Sequence, residues 1–520
     1  MFELPGWAGA AAVGAEPSLS PLTSDPQPEV LQVTKRVAIT CALLLLALAL
    51  ALPTTAAAAG RQLTILQDDF LVLRAGDGTR QWALDEFRAL GADVVKVQML
   101  WREVAPSPNS PRKPRVNLRD PANYDFSRFD AFVREAVARG LRPYIAIGGQ
   151  APRWASQGTR AQPGSSRPDP RSYRDFVHAV GLRYSGRYAG IPRVSIWSAW
   201  NEPNLLSWLG PQRSRSGVPL APTIYRRLYQ AFVAGMQSSG HSRDTLLFGE
   251  LVPFGSSSRR SATRISPIEF LRETFCLDAN WRPYRGAAAK ARGCGRLGRL
   301  RVSGIAYHPY VPRGGLYGRL PSRDDASIAQ LGRLTSALDK LARRGKLPPR
   351  LPIWITEYGF QTNPPDPFQF PISRVPSYMD ESEWLAFRNP RVVSYSQYLL
   401  VDEAARKSRS ALVRWSGFQQ GLRFADGREK PGVYQAFRFP VFVREYRRDR
   451  VEVFGRLRPR RPGTRVVIAV SAGNGYRQVA SVRINSAGYF RKTLPVSSAS
   501  KRKFRIVADG LVRIKRAVRR

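Results

Sequence analysis

Residues 129–147 read FDAFVREAVARGLRPYIAI, and this stretch decides the fold. Phe129, Phe132, Val133, Ala136 and Val137 recur at the i, i+3, i+4, i+7, i+8 spacing of an amphipathic helix, which Gly140 ends. Pro143–Ile147 follows as a short apolar run, the pattern of a strand buried on both faces. Working outward, the same alternation runs from residue 61 to about 440. Candidate strands are Leu63–Leu66, Val94–Met99, Pro143–Ile147, Val194–Trp200, Leu246–Gly249, Val302–Tyr307, Ile353–Thr356 and Leu412–Trp415. Between the fourth and fifth, Leu228, Tyr229, Phe232, Val233 and Met236 repeat the helical period. Eight such units predict an α/β fold, a (β/α)8 TIM barrel with loop insertions. An open doubly wound sheet is the alternative. No GxGxxG or P-loop follows the first strand, which argues against a nucleotide site.

After Pro440 the helical period stops. Val451–Phe454, Arg465–Ser471, Gln478–Ile484 and Lys503–Val507 are short, rich in β-branched residues and separated by Gly, Asn and Ser turns. They predict a small all-β sandwich domain ending in a basic tail. The expected division is 1–59 N-terminal extension and signal peptide, 60–440 catalytic barrel and 441–520 basic β-sandwich module.

The first segment has the order of a secretory signal. Lys35-Arg36 precede the apolar run Val37 to Leu52, and small residues follow in Thr54-Thr55-Ala56-Ala57-Ala58-Ala59-Gly60. Cleavage near Ala59 is the expectation, with an uncleaved anchor as the alternative. Residues 1–34 read as an extension ahead of the signal's own start, with Val33 at the place of a first residue. Export predicts an extracellular or cell-surface protein. Cys41 falls inside the signal, so an exported chain keeps Cys276 and Cys294, expected to form a disulfide.

Of 520 residues, 43% are apolar, enough for a large core and against global disorder. Lys and Arg number 82 against 39 Asp and Glu, a formal charge of +43. This excess predicts an anionic neighbourhood, such as a cell-wall polymer or an acidic glycan. It is densest in residues 441–520, which hold 22 Lys and Arg and four Asp and Glu. Three His and three Cys are too few and too scattered for a zinc or iron–sulfur framework, so no metal or organic cofactor is expected.

Two candidate strands end in a glutamate, where a barrel keeps its chemistry. The fourth runs Ile196-Trp197-Ser198-Ala199-Trp200-Asn201-Glu202-Pro203-Asn204 and the seventh Ile353-Trp354-Ile355-Thr356-Glu357-Tyr358-Gly359. A carboxyl placed after an apolar strand, among Trp and Tyr, is desolvated and held as an acid. One such acid and one ionised partner are the minimal equipment for glycoside hydrolysis.

The two segments resemble the fourth- and seventh-strand motifs of the retaining glycosidase clan of TIM barrels. That clan includes cellulases and mannanases of glycoside hydrolase family 5 and xylosidases of family 39. The resemblance covers roughly 61–440. It implies Glu202 as acid/base, Glu357 as nucleophile and Asn201 as the partner of the sugar 2-hydroxyl. His308-Pro309-Tyr310 looks like the clan's His-x-Tyr, which implies that Tyr310 orients Glu357. Trp415 would match the Trp beneath the cleaved sugar, and Trp101 and Trp154 would stack on flanking sugars. Lys96 departs from the clan, standing where it often has Arg; it supplies positive charge without the planar fork.

The expected function is an exported retaining β-glycosidase, a monomer hydrolysing O-glycosidic bonds of an oligo- or polysaccharide by double displacement. The insertion Gln361–Pro390 would form one rim of its cleft. The alternative is a non-catalytic glycan- or cell-wall-binding protein on a glycosidase scaffold, or an adhesion protein acting through its basic module. Nucleic acid is not an expected partner, because no recognition motif is visible.

Overall fold

Side chains on a strand alternate between its two faces, and the barrel's layers follow from that period. Along β2 (Val94–Leu100), Val95 and Val97 pack outward against the helices, while Val94, Lys96 and Gln98 point to the barrel axis. The structure, a computed structural model, describes residues 62–519 apart from 158–163, 257–262, 296–297 and 448. The signal segment 1–59, with Cys41, lies outside the described residues.

Eight parallel strands close the barrel. They are β1 (Leu63–Gln67), β2, β3 (Arg142–Gly148), β4 (Ile196–Ala199), β5 (Thr245–Leu251), β6 (Gly304–Tyr307), β7 (Ile353–Ile355) and β8 (Val392–Tyr398). Each pairs with its sequence neighbours, and β8 returns to β1 through Leu63↔Ser394 and Ile65↔Ser396. Ile65, Val94, Tyr144, Ile196, Leu247, Ala306 and Trp354, one from each of β1–β7, pack into an apolar floor inside the barrel. Two residues further along, the inward positions turn polar, with Lys96 on β2, Ser198 on β4 and Thr356 just past β7. The charged layer therefore sits at the C-terminal end of the barrel.

The last strand is not where the sequence placed it. Leu412–Trp415 falls on a one-turn helix, Ala411–Arg414, whose Leu412 is 70% exposed. The true β8 reads Val-Val-Ser-Tyr-Ser-Gln-Tyr. Its Ser394 and Ser396 share the inward face of Leu63 and Ile65, and their hydroxyls bond to the Ile355 and Thr356 carbonyls of the neighbouring strand at 3.1 Å. Those serines make a largely buried strand look like a polar loop. Cys276 and Cys294 are joined in a disulfide within the β5–β6 connection, as expected, with Cα atoms 5.9 Å apart. Among the described residues no helix is long and apolar enough to cross a membrane.

The C-terminal strands are β9 (Val441–Arg447), β10 (Arg450–Arg456), β11 (Arg465–Ala472), β12 (Gly475–Arg483), β13 (Tyr489–Pro495), β14 (Lys503–Ala508), β15 (Leu511–Arg516) and β16 (Val518–Arg519). They form two four-stranded sheets, β13-β10-β9-β16 and β12-β11-β14-β15, around a core that includes Val453, Ile468, Phe490 and Phe504. The basic segment after 510, expected as a tail beyond the sandwich, is part of it and forms β15 and β16. Its Arg513 and Lys515 bond to Asp380, with Arg513 at 2.8 Å. Asp380 belongs to the helix Val375–Arg388, between β7 and β8, which also sends Glu383 to Arg458 and packs Phe387 on Phe454 and Tyr489. Only the start of the 361–390 insertion reaches the cleft; its second half is this docking helix.

Candidate active site

Both strand-end glutamates are aimed into one cavity by backbone the sequence spells out. After β4 the chain turns sharply, with Trp200 at φ 67° and Glu202 at φ 40°, left-handed conformations unfavourable for side chains of this size. The turn is tied down. Trp200 N–H donates to the Ile147 carbonyl at 2.9 Å and Glu202 N–H to the Glu250 carbonyl at 3.0 Å. Asn204 clamps the loop after β5, bonding to Val252 N–H and to the Val252 and Ile265 carbonyls at 2.9–3.0 Å. A Cβ on Gly149 would come within 2.1 Å of the Trp200 indole, so only glycine fits beneath that ring.

Glu202, Glu357 and His308 each offer an atom within 4.8 Å of the others. Glu357 is held by Lys96 Nζ (3.0 Å) and Gln98 Nε2 (2.9 Å), both on Oε1. Its Oε2 has only longer contacts, to the Tyr310 hydroxyl and His308 Nδ1, each at 3.5 Å. Tyr310 thus stands against Glu357, where the His-Pro-Tyr motif led us to expect it. Glu202 accepts from His308 Nδ1 at 3.0 Å through one oxygen.

Beneath the pair lies a third glutamate that the sequence reading missed. Glu250 is fully buried and accepts hydrogen bonds from Lys96 Nζ (3.0 Å), His308 Nε2 (2.6 Å), Ser198 Oγ (2.6 Å), Thr356 Oγ1 (2.6 Å) and the Tyr144 hydroxyl. It sits at φ 53° near the end of β5. Ending that strand at Gly249 stopped one residue short of it. A glutamate following an apolar run was the available signal, the same one that marked Glu202 and Glu357.

Electrostatics divide the roles. Burial raises the Glu202 carboxyl above its ordinary range; contact with His308 opposes this and the nearby Glu357 charge adds to it. Burial would also raise Glu250, but Lys96 and His308 outweigh it and hold Glu250 well below the usual carboxylate range. For His308, burial disfavours the charge, yet Glu357, Glu202 and Glu250 together lift it to about 9. Lys96 is likewise kept charged by Glu250 and Glu357 against its desolvation. At neutral pH His308 is therefore an imidazolium donating from both nitrogens.

The cavity above has a volume of about 540 Å³. Asn201, 98% buried, lines it with its amide oxygen unpaired, as does Gln420. Asp69, just past β1, lines it too, and burial raises its carboxyl. Two aromatic expectations fail. Trp101 is fully buried, stacked on Phe176 at 5.4 Å, so it is core rather than a sugar platform. Trp415 ends the short 411–414 helix and is not among the lining residues; at the end of the true β8 the lining ring is Tyr398. Trp154 packs edge-on against Trp101 and lines a separate pocket. Lys96 and His308, both fully buried, reach the cavity only through the glutamates they hold.

No family model and no curated protein matches the chain. Among solved structures it is similar to GH5_18 from Streptomyces cattleya, solved with GlcNAc, at 17% identity over 73% of this chain and 80% of that one (TM-score 0.45). A GH5_18 from Bifidobacterium longum subsp. infantis is 16% identical over 72% and 77% (TM-score 0.46). A fungal beta-1,4-galactanase is 15% identical over 72% and 99% (TM-score 0.40).

Proposed function

We propose that this chain is an exported retaining β-glycosidase of the TIM-barrel clan, hydrolysing O-glycosidic bonds of an oligo- or polysaccharide by double displacement. The observation that carries the reading is the opposition of Glu202 and Glu357 in one cavity, with carboxylate oxygens within 4.8 Å. Retaining enzymes hold their carboxyl groups about 5–5.5 Å apart, whereas inverting ones leave ~6.5–9.5 Å for a water.

Glu202, kept protonated by burial, gives its proton to the leaving oxygen while Glu357 attacks the anomeric carbon. Oε2 is the attacking atom, because Lys96 and Gln98 already occupy Oε1. Forming the ester removes the Glu357 charge, and that charge is one of the influences raising Glu202. Glu202 is then the stronger acid, left ionised beside the His308 imidazolium and able to take a proton from water. The hydroxyl so formed attacks the same carbon, releases Glu357 and restores the starting charges. The unpaired Asn201 Oδ1 is the acceptor placed for the sugar 2-hydroxyl. Export rests on the signal order at Lys35–Ala59, and the disulfide fits an oxidising compartment.

The test is proton NMR of the first product formed from aryl β-glycosides and from glucan, mannan, xylan and galactan panels. The β-anomer should appear first. Glu357→Ala should lose turnover, and added azide should restore it with the α-glycosyl azide as product. Initial release of the α-anomer would overturn the retaining mechanism. No turnover on any glycan would favour the non-catalytic binding protein.

A further inference from the structure

We propose that the outward face of the sheet β12-β11-β14-β15 is a docking surface for an acidic polysaccharide. The charge of the C-terminal module is divided unevenly between its two sheets. On the barrel side, Arg456 and Arg458 pair with Glu383, Arg513 and Lys515 with Asp380, Arg491 with Glu452, and Arg519 with Glu445. Arg513 and Lys515 belong to β15 of the other sheet and reach Asp380 from its inward face; the outward face of that sheet has no such compensation. Its inward residues Val466, Ile468, Val470, Phe504 and Ile506 are buried, so the period of two turns Arg465, Arg483, Lys503, Arg505 and Arg516 to the outside. No acidic residue occupies an outward position on these four strands, and none of the five bases is in an ion pair.

Register makes the arrangement costly. Arg465 lies directly opposite Arg483, and Lys503 directly opposite Arg516. Like charges so placed destabilise a sheet. They stand at opposite ends of the face, with Arg505 between them on β14. Between the bases the surface is flat and apolar, made by Val467, Val507, Val512 and Ile514, the last 55% exposed. At about 3.4 Å per residue and ~4.8 Å between strands, the strip measures about 20 by 15 Å.

A linear polymer with anionic groups spaced along a chain of sugar rings fits this strip. Its charges meet the bases at both ends, and its C–H faces lie on the aliphatic centre. A bilayer would call for larger protruding apolar side chains, and bases would call for several aromatic platforms. Tyr476 is the one aromatic residue on β11, β12, β14 or β15 that faces outward.

The experiment measures binding of the full chain to polygalacturonate at low salt, in a Glu357→Ala background so that the probe is not consumed. Two charge-matched sets are compared: Arg465→Ser with Arg483→Ser, Arg505→Ser and Arg516→Ser, against Arg88→Ser with Arg187→Ser, Arg343→Ser and Arg350→Ser on the barrel. The first set should weaken binding by at least about tenfold and the second by no more than about twofold. The first set should also keep or raise the melting temperature, since it removes repulsive pairs. Equal losses from both sets, or binding undiminished in molar salt, would overturn the assignment of the face. Tighter binding to phosphatidylglycerol vesicles or duplex DNA than to polygalacturonate would overturn the partner class.

Discussion

Replacing Glu250 by Gln keeps the shape of the buried hub and removes its charge. In the intact protein His308 and Lys96 share two carboxylates, Glu250 and Glu357, so the layer is close to neutral when Glu202 is protonated. Two unit charges about 4 Å apart attract by about 4 kcal/mol at an effective dielectric of about 20. That is an upper bound of about three pKa units, and since Glu357 and Glu202 also hold the imidazolium, His308 should fall clearly below 9 in the variant without losing its whole shift. The linkage sign follows. A histidine raised from 6.5 to about 9 contributes roughly 3 kcal/mol, present in full below 6.5 and lost as pH rises through about 9. Glu250→Gln should therefore flatten the pH dependence of unfolding between those limits. Overall stability should drop by about 3–5 kcal/mol, the usual cost of leaving buried cations short of a partner. With Lys96 released toward Glu357, kcat should fall by about a hundredfold with little change in KM. The chain has only three histidines, so the imidazole signals can be titrated individually by NMR. His308 still titrating near 9, with an unchanged stability slope, would refute the idea that Glu250 sets the charge state of this layer.

Glu202→Ala should retain turnover of aryl glycosides with good leaving groups while losing natural glycans by about a thousandfold, read as the ratio of kcat/KM values. The alkaline limb of kcat/KM should lie above the ordinary carboxylate range, and the Glu202 carboxyl, followed by carbon NMR, should titrate at lower pH in the inactive Glu357→Gln variant, because the Glu357 charge helps to raise Glu202. Asp380→Ala strips the counter-charge from buried Arg513 and Lys515 and should cost about 3–5 kcal/mol in urea unfolding, with kcat within about twofold. Replacing Cys276 and Cys294 by Ser opens a loop of 18-residue separation and should cost about 3 kcal/mol. Recovery of both as free thiols from protein isolated without reductant would contradict that linkage.

Apart from the tyrosine beside Glu357, which a family resemblance implied, the sequence by itself determined the alternation of strand and helix, the two glutamates at the ends of β4 and β7 and the switch to strands near residue 440. Each depends on local periodicity or on a residue's place just after an apolar run, and a chain displays such features in order. Tertiary structure decided the rest. Whether Val392–Tyr398 is a strand depends on the inward space in the closed barrel, where the small side chains of Ser394 and Ser396 fit and find carbonyl partners. Trp101 looks like any ring after a strand until Phe176 and Trp154, from distant segments, close over it. The last basic segment reads as a tail beyond the sandwich because its counter-ion, Asp380, comes from a helix 133 residues earlier. Glu250 was visible as a letter but not as a hub: its charge state depends on Lys96, His308, Ser198, Thr356 and Tyr144, brought together only when the barrel closes. A buried charge takes its properties from all the dipoles and ions around it, and those neighbours come from strands far apart in the chain.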